Sequence, residues 1–294
     1  MQTKTQIQQL LASAGVEPNK RLGQNFLIDL NLLELLLKSA HISRNDVVLE
    51  VGTGTGSLTA ALAKQAGKVI TVEFDKTLAK IAAAQLSHAD NVEIINTDVL
   101  ENKNTIDHKV VEALEATCNE FYGKVMLVAN LPYSVASPVM MNLILGPVVA
   151  DSMTVTVQKE VAERMTAEPG HDSYGILSII MAAAGTAKMI RKLSPKVFWP
   201  QPQVESAMIR FDRDKEKIAR MYSIDIFKEV VNLFMAHRRK MMKACVKFAD
   251  GNLAKIRNWP DIFEHAFVEP QLRPEELTAE NYISIANLCY ESLQ

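Results

Sequence analysis

Cysteine is scarce and unpaired. Cys118, Cys245 and Cys289 are the whole complement, an odd number without any C-x-x-C spacing, which excludes a disulfide framework and a zinc knuckle and leaves buried free thiols as the expectation. The 6 histidines are scattered and none falls in an H-E-x-x-H or similar pattern, so no metal is expected. No stretch approaches the roughly 20 uninterrupted apolar residues of a membrane helix. The start, Met1 to Gly15, is polar and Gln-rich and lacks the apolar core of a secretion signal, so a cytoplasmic protein without membrane association is expected. With 11 prolines, 12 glycines and no internal repeat or low-complexity segment, the chain is neither fibrous nor disordered.

What is present is an ordinary globular composition, 48% hydrophobic and 22% charged. At 294 residues the chain exceeds the length at which a single core usually stops growing, roughly 250 residues, so two domains are expected. A net charge of −2 argues against nucleic acid until it is resolved by position. Between Gly185 and Lys247 there are 15 Lys and Arg against 6 Asp and Glu, a surplus of 9 that leaves the rest of the chain at −11. Phosphate contact depends on where a basic patch lies and not on the total, so the nucleic-acid option stands.

Four short apolar runs, Asp46–Val51, Lys68–Glu73, Val92–Ile95 and Lys124–Ala129, are Val- and Ile-rich and bounded by polar residues or glycine, as strands are. Helical patterns over Ser57–Gln65 and Lys76–Leu86 separate the first three, and this alternation predicts an α/β fold with a parallel, doubly wound sheet. Ser152–Gln158 and Val204–Phe211 supply further strands at its edge. Beyond the charge-dense Asp212–Arg220, the residues Phe227, Val230, Val231, Phe234, Met241 and Cys245 recur at helix spacing, and Thr278–Leu293 is amphipathic. The boundary is placed near residue 215, with an α/β domain over 1–215 and a smaller all-α domain over 216–294.

The run Glu50-Val51-Gly52-Thr53-Gly54-Thr55-Gly56 follows the first strand and precedes a helix, where glycines let the backbone turn sharply and approach a ligand. Glu73, 21 residues after Gly52, ends the second strand, where a carboxylate can accept hydrogen bonds from both ribose hydroxyls of a nucleoside-bearing cofactor. The NAD fingerprint G-x-G-x-x-G would need glycine where Ser57 stands; G-x-G-x-G is the methyltransferase form and points to S-adenosyl-L-methionine. Asp98 follows the third strand at the same sheet edge, where an acceptor can take the cofactor's adenine amine, although alone it reads as a turn or cap residue.

Asn130-Leu131-Pro132-Tyr133 follows the fourth strand and so emerges beside the glycine loop, at the edge where open α/β sheets bind ligands. The exocyclic amine of adenine is a poor nucleophile because its lone pair is delocalised into the ring. The Asn130 side-chain oxygen and the Leu131 carbonyl are suited to hold both amine protons and favour the pyramidal nitrogen that develops in the transition state. Pro132 fixes the backbone, and Tyr133 offers a flat face to an extruded base. On these four residues alone an ordinary turn would be as good a reading; the loop and Glu73 upstream decide for function.

These residues resemble the KsgA/Dim-type rRNA adenine dimethyltransferases over nearly the whole chain. Gly23-Gln24-Asn25-Phe26-Leu27, the glycine loop, Val72-Glu73-Phe74-Asp75, Asn130-Leu131-Pro132-Tyr133, Gln158-Lys159-Glu160-Val161-Ala162, Tyr174-Gly175-Ile176-Leu177-Ser178 and Phe198-x-Pro200-x-Pro202-x-Val204-x-Ser206 match the family's motifs in order. The resemblance implies a class I, Rossmann-like methyltransferase domain followed by a helical domain that docks on the small ribosomal subunit. It implies that Asn25 and Leu27 close over the cofactor, that Gly52 and Gly54 meet it through their backbone, that Glu73 holds the ribose and Asp98 the adenine, and that Asn130 lies between cofactor and target. Tyr133 and Phe198 would sandwich the target base; without the resemblance, Phe198 and Trp199 read as core or Pro-flanked edge residues. The implied reaction is dimethylation of two adjacent adenines near the 3′ end of small-subunit rRNA, by a monomer acting on an immature 30S-type particle.

His237-Arg238-Arg239-Lys240 resembles the family's basic run. Arg239, Lys243 and Lys247 fall at i, i+4 and i+8, so that with Arg238 and Lys240 they would aim one helix face at RNA phosphates. Two departures stand out: the chain is slightly acidic where a basic one would be expected, and between Asp98 and Asn130 it is longer than in familiar members, so that Glu101–Tyr122 reads as a surface elaboration. Three other readings compete. An Erm-type enzyme would act on large-subunit rRNA, an assembly factor would check immature subunits with methylation secondary, and a small-molecule methyltransferase would lack the steep salt dependence of phosphate contact.

Overall fold

The computed structural model describes every residue except 20, 21, 104, 119 and 122, and of Cys118 only the backbone. The expected burial of the Cys118 thiol therefore lies outside the described residues, whereas Cys245 and Cys289 are free and buried. Two compact units share the chain: Met1–Ala162 with Lys188–Asp212, and Glu163–Ala187 with Arg213–Gln294.

In the first unit α1 (Lys4–Ser13) starts on a capping box in which Thr3 and Gln6 satisfy each other's backbone N–H. A two-residue strand β1 (Phe26–Leu27) leads into α2 (Leu30–Ala40), capped by the Asp29 carboxylate and burying Leu32, Leu33, Leu36 and Leu37. Then β2 (Val47–Val51), α3 (Ser57–Ala63), β3 (Lys68–Val72), α4 (Lys76–Gln85) and β4 (Val92–Ile95) alternate as expected. A small antiparallel pair, β5 (Leu100–Asn102) and β6 (Thr105–Ile106), precedes α5 (His108–Cys118), β7 (Val125–Asn130), α6 (Ala136–Leu145) and β8 (Ser152–Gln158). After α7 (Lys159–Thr166) and α8 (Ile176–Ala184) come β9 (Gly185–Leu193), the two-residue β10 (Phe198–Trp199) and β11 (Ser206–Arg213).

Seven strands, among the described residues, form one sheet in the order β4-β3-β2-β7-β8-β11-β9. From β4 to β8 the neighbours are parallel, and β11 returns antiparallel along β8. All five residues of β2 are buried, as a parallel strand covered on both faces requires. Basic residues of β9, Lys188, Arg191 and Lys192, sit on an edge strand that the sequence pattern did not reveal.

One expectation is overturned. Glu101–Tyr122 is not a surface elaboration: α5 packs on β2 and β3, and its Val110 and Leu114 are fully buried. The strand order explains why. The chain must cross from β4 at the edge to β7 beyond β2, and a parallel connection of that kind needs a helix on the sheet face. Tyr122, at the end of that stretch, lies outside the described residues.

The second unit is helical: α8, then α9 (Lys215–Ala219), α10 (Ile224–Ala236), α11 (Met242–Cys245), α12 (Trp259–His265) and α13 (Ala279–Glu291). Phe234 of α10 meets Trp259, Phe263 and Tyr282 at ring separations of 5.9, 6.2 and 6.4 Å. The buried Tyr174 and Tyr282 hydroxyls donate to the Leu277 and Pro274 carbonyls at 2.7 and 2.8 Å. Glu163–Ala187 groups with these helices, where the sequence reading assigned it to the first domain, and the first unit ends at Asp212. The reason lies in α8, which is apolar all round and buried on nearly every side, packing against α9, α10 and α13. The Ala182 carbonyl in its last turn and the Gly185 carbonyl just beyond it accept from the Lys217 ammonium at 3.0 and 2.9 Å.

Candidate active site

Beyond Val51 the chain turns out of the sheet through Gly52 and Gly54, at φ 88° and 58°, in the left-handed region that glycine enters at little cost. The turn is also tight in space. A Cβ on Gly52 would lie 3.2 Å from the Pro132 ring, and one on Gly54 would lie 3.1 Å from the Phe26 ring. The glycine loop is thus pressed between the loop that follows β7 and the segment that carries β1. Together with the ends of β3 and β4 these loops enclose a cavity of about 230 Å³, lined by Asn25, Gly52, Gly54, Glu73, Asp98, Asn130, Leu131, Pro132 and Tyr133 among others.

Glu73 is 7% exposed, and each carboxylate oxygen accepts one backbone N–H: Oε2 from Gly54 at 2.8 Å, Oε1 from Asp75 at 2.9 Å. Burial raises its carboxyl pKa above the usual range while the backbone N–H groups of Asp75, Gly54 and Phe74 pull it down. The bonds fix the side chain in the cavity wall. Asp98 is exposed at the rim, and its Oδ1 accepts the Leu100 N–H at 3.1 Å, so the turn role and a place in the cavity wall coexist. Beneath the loop, Glu50 is fully buried, accepts the Thr59 and Thr71 hydroxyls at 2.6 and 2.7 Å, and is pushed up to about 8 by desolvation.

Asn130 ends β7 with its amide held at both ends: Nδ2 donates to the Asn25 carbonyl at 2.8 Å, and Oδ1 accepts the Thr156 hydroxyl. A carbonyl oxygen can only accept, so the nitrogen must face Asn25 and the oxygen must face Thr156. That arrangement spends one of two Oδ1 lone pairs. The Leu131 N–H is taken by the Thr156 carbonyl at 3.2 Å. Tyr133 is half-buried, its hydroxyl lies 2.6 Å from Ser206 Oγ, and burial raises its pKa, so it stays a neutral phenol.

Two of the expected residues lie elsewhere. Leu27 and Phe198, paired across β1 and β10, are 5% and 1% exposed, belong to the hydrophobic core and do not line the cavity. Alternation along these short strands turns the other pair to the opposite face, against Ile7, Leu11 and Leu78, so it is Phe26, stacked on Trp199 with ring centroids 6.2 Å apart, that meets the glycine loop. Phe26 and the 59% exposed Phe74 are cavity residues that sequence reasoning quoted only as parts of motifs, and it gave Thr156 no role at all.

The basic run of the second unit is also corrected. The helix α10 stops at Ala236, residues 237–241 form a turn, and α11 has only 4 residues, so Arg239, Lys243 and Lys247 do not share one helix face. Arg238 is committed to Glu275, with Nη2 and Nε at 2.8 and 2.9 Å from its carboxylate. Arg239, Lys240, Lys243 and Lys247 are exposed, and the Lys240 ammonium sits 5.5 Å above the ring of Phe248, which His237 stacks against at 4.0 Å. Among the described residues no helix is long and apolar enough to cross a membrane. Glu101, Asp107 and His108 bring ligand-type atoms within 4.8 Å of one another, a grouping the histidine spacing did not suggest, and Glu101 and His108 hydrogen-bond at 2.8 Å.

Residues 15–290 match the family described as Ribosomal RNA adenine dimethylase. The Ribosomal RNA small subunit methyltransferase A of Alkaliphilus oremlandii is 39% identical over 274 residues, which cover 92% of this chain and 91% of that protein. A solved dimethyladenosine transferase from Plasmodium falciparum is similar with a TM-score of 0.72 and 22% identity, over 90% of this chain and 97% of that one. The 23S rRNA methyltransferase ErmE is similar with a TM-score of 0.63 and 23% identity, over 90% and 98%. At those identities the two structural likenesses bear on the fold, a Rossmann-like methyltransferase sheet with a helical C-terminal part.

Proposed function

This chain belongs to the ribosomal RNA adenine dimethylase family, and from that membership we propose that it transfers methyl groups from S-adenosyl-L-methionine to two adjacent adenines near the 3′ end of small-subunit rRNA. The observation that carries the reading is that the Asn130 amide and the Glu73-anchored glycine loop line one cavity, with Pro132 in contact range of Gly52. The cavity fits the cofactor by its donor set: a buried carboxylate with spare lone pairs suits two ribose hydroxyls, and backbone without Cβ lets a ligand approach closely. Asn25, Gly52, Gly54, Glu73 and Asp98 hold it. When bound it supplies an electrophilic methyl on a positively charged sulfur.

The protein's own task is then to present the adenine amine. Asn130 Oδ1 and the Leu131 carbonyl each accept one N–H, which draws the nitrogen lone pair out of conjugation and towards the methyl. The amine so presented would take the methyl from the sulfonium, with S-adenosylhomocysteine as the leaving group and one amine proton passing to water, so no strong base is required. A second round gives N6,N6-dimethyladenosine. Tyr133, neutral and held through its hydroxyl, provides the face for the flipped base. Arg239, Lys240, Lys243 and Lys247 contact phosphates, and no metal takes part. In this reading the protein works as a monomer on immature 30S-type particles in the cytoplasm.

The test is to incubate the protein with labelled S-adenosyl-L-methionine and unmodified small or large subunits, digest the RNA and identify the labelled nucleoside. Dimethyladenosine from the small subunit alone is expected. Label from the large subunit would move the assignment to the Erm-type reaction, and label in neither would end the enzymatic reading.

A further inference from the structure

Two hydroxyls outside the cavity lining hold two groups inside it. Thr156 on β8 and Ser206 on β11 are both 0% exposed. Register pairs Thr156 with Met208 and Gln158 with Ser206, so the two hydroxyl residues are diagonal neighbours on one face of an antiparallel ladder. From there Thr156 donates to Asn130 Oδ1, and Ser206 hydrogen-bonds the Tyr133 hydroxyl at 2.6 Å.

We propose that Thr156 and Ser206 are positioning residues for methyl transfer: Thr156 sets which end of the Asn130 amide meets the acceptor amine, and Ser206 sets the plane of the Tyr133 ring. The inference rests on the adenine-methylation reading. Asn25 anchors the amide nitrogen from one side, but an amide held at one end can still swing about its Cα–Cβ bond. The Thr156 hydroxyl removes that freedom and points the second oxygen lone pair one way. The Thr156 carbonyl, through Leu131 N–H at 3.2 Å, fixes the neighbouring backbone independently of the hydroxyl. Side chain and main chain of one residue thus hold the Asn130 amide and the Leu131 N–H by separable bonds.

Thr156→Val keeps the shape and the backbone bond and removes only the hydroxyl; Thr156→Ala removes it and leaves space; Thr156→Ser keeps it. Each full-length variant is assayed for methylation of small-subunit RNA, with S-adenosylhomocysteine affinity measured in parallel. The expected result is a kcat lowered by about tenfold to a hundredfold in both hydroxyl-less variants, an unchanged S-adenosylhomocysteine affinity, and recovery in Thr156→Ser. For the second tether, Ser206→Ala and Tyr133→Phe should raise the KM for RNA alike, and the double variant should be no worse than either. Wild-type kcat in Thr156→Val, or equal losses in Val and Ser, overturns the first role; additive losses in the double variant overturn the second. If the wild-type protein methylates no adenine, the functional reading falls and the proposal with it, whereas an active wild type matched by Thr156→Val sinks the proposal alone.

Discussion

The cavity of the first unit and the basic face of the second treat their polar side chains in opposite ways. In the cavity three proposed participants are tied down: Glu73 by backbone donors, Asn130 at both ends of its amide, Tyr133 through its hydroxyl. In the basic run Arg238 is locked to Glu275, while Arg239, Lys240, Lys243 and Lys247 are exposed on a turn and a short helix. Chemistry at one nitrogen needs groups fixed to a fraction of an ångström, because misplacement by about 1 Å costs a large factor in rate. Contact with phosphate tolerates long, adaptable cations, since the energy is mostly counterion release.

The largest expected effect breaks the cavity side of that contrast. Asn130→Ala should lower the methylation rate by about 10²–10³-fold, the loss typical of a group that stabilises developing charge, with RNA affinity retained, as single-turnover assays and filter binding would show. A loss of both together would mean that the cavity also docks the RNA.

Next is pH. The Glu50 carboxyl is raised to about 8 in the folded protein against an ordinary value of 4.5, so the folded state binds the extra proton between those limits. Its contribution to stability is present below the lower limit, declines as pH rises, at up to about 1.4 kcal/mol per pH unit, and levels off above the upper one. Denaturant titrations from pH 5 to 9 should show that decline, and Glu50→Gln should flatten it; an unchanged slope in the variant would place the titration elsewhere.

On the basic face, Lys243→Ala and Lys247→Ala should each reduce the salt-dependence slope of RNA binding by about 1, without a change in rate at saturating RNA. Arg238→Ala should instead leave the slope alone and cost less than about 1 kcal/mol of stability, as a partly exposed ion pair does. A lost slope in Arg238→Ala would reverse that division of labour. The smallest effect concerns Phe267, 93% exposed at φ 55°, a left-handed position that costs a non-glycine residue about 1 kcal/mol. Phe267→Gly should raise the thermal midpoint slightly.

What could be read from the residues was whatever the backbone dictates locally. Strands β2, β3, β4 and β7 announce themselves as apolar runs, and their carboxyl ends place Glu73, Asp98 and Asn130 at one edge without further information. Long-range pairing was not legible. The basic run continues through Arg238 and Arg239, yet α10 ends at Ala236, and Arg238 bonds a glutamate 37 residues away. Thr156 acquires its role from strand register alone. Phe198 shows the limit of resemblance: the residue pattern by itself suggested core, and core is where the side chain lies.

The clasp between β1 and β10 sets a timetable. Phe26 faces Trp199 in the ladder, and the carbonyl of Asn25, one residue before it, holds the Asn130 amide. A chain leaving the ribosome has made the glycine loop and Asn130 long before Trp199 follows, so the wall carrying Asn25 lacks its pairing strand until then. The strand that pairs with β1 is therefore supplied only after nearly the entire first unit has been synthesised.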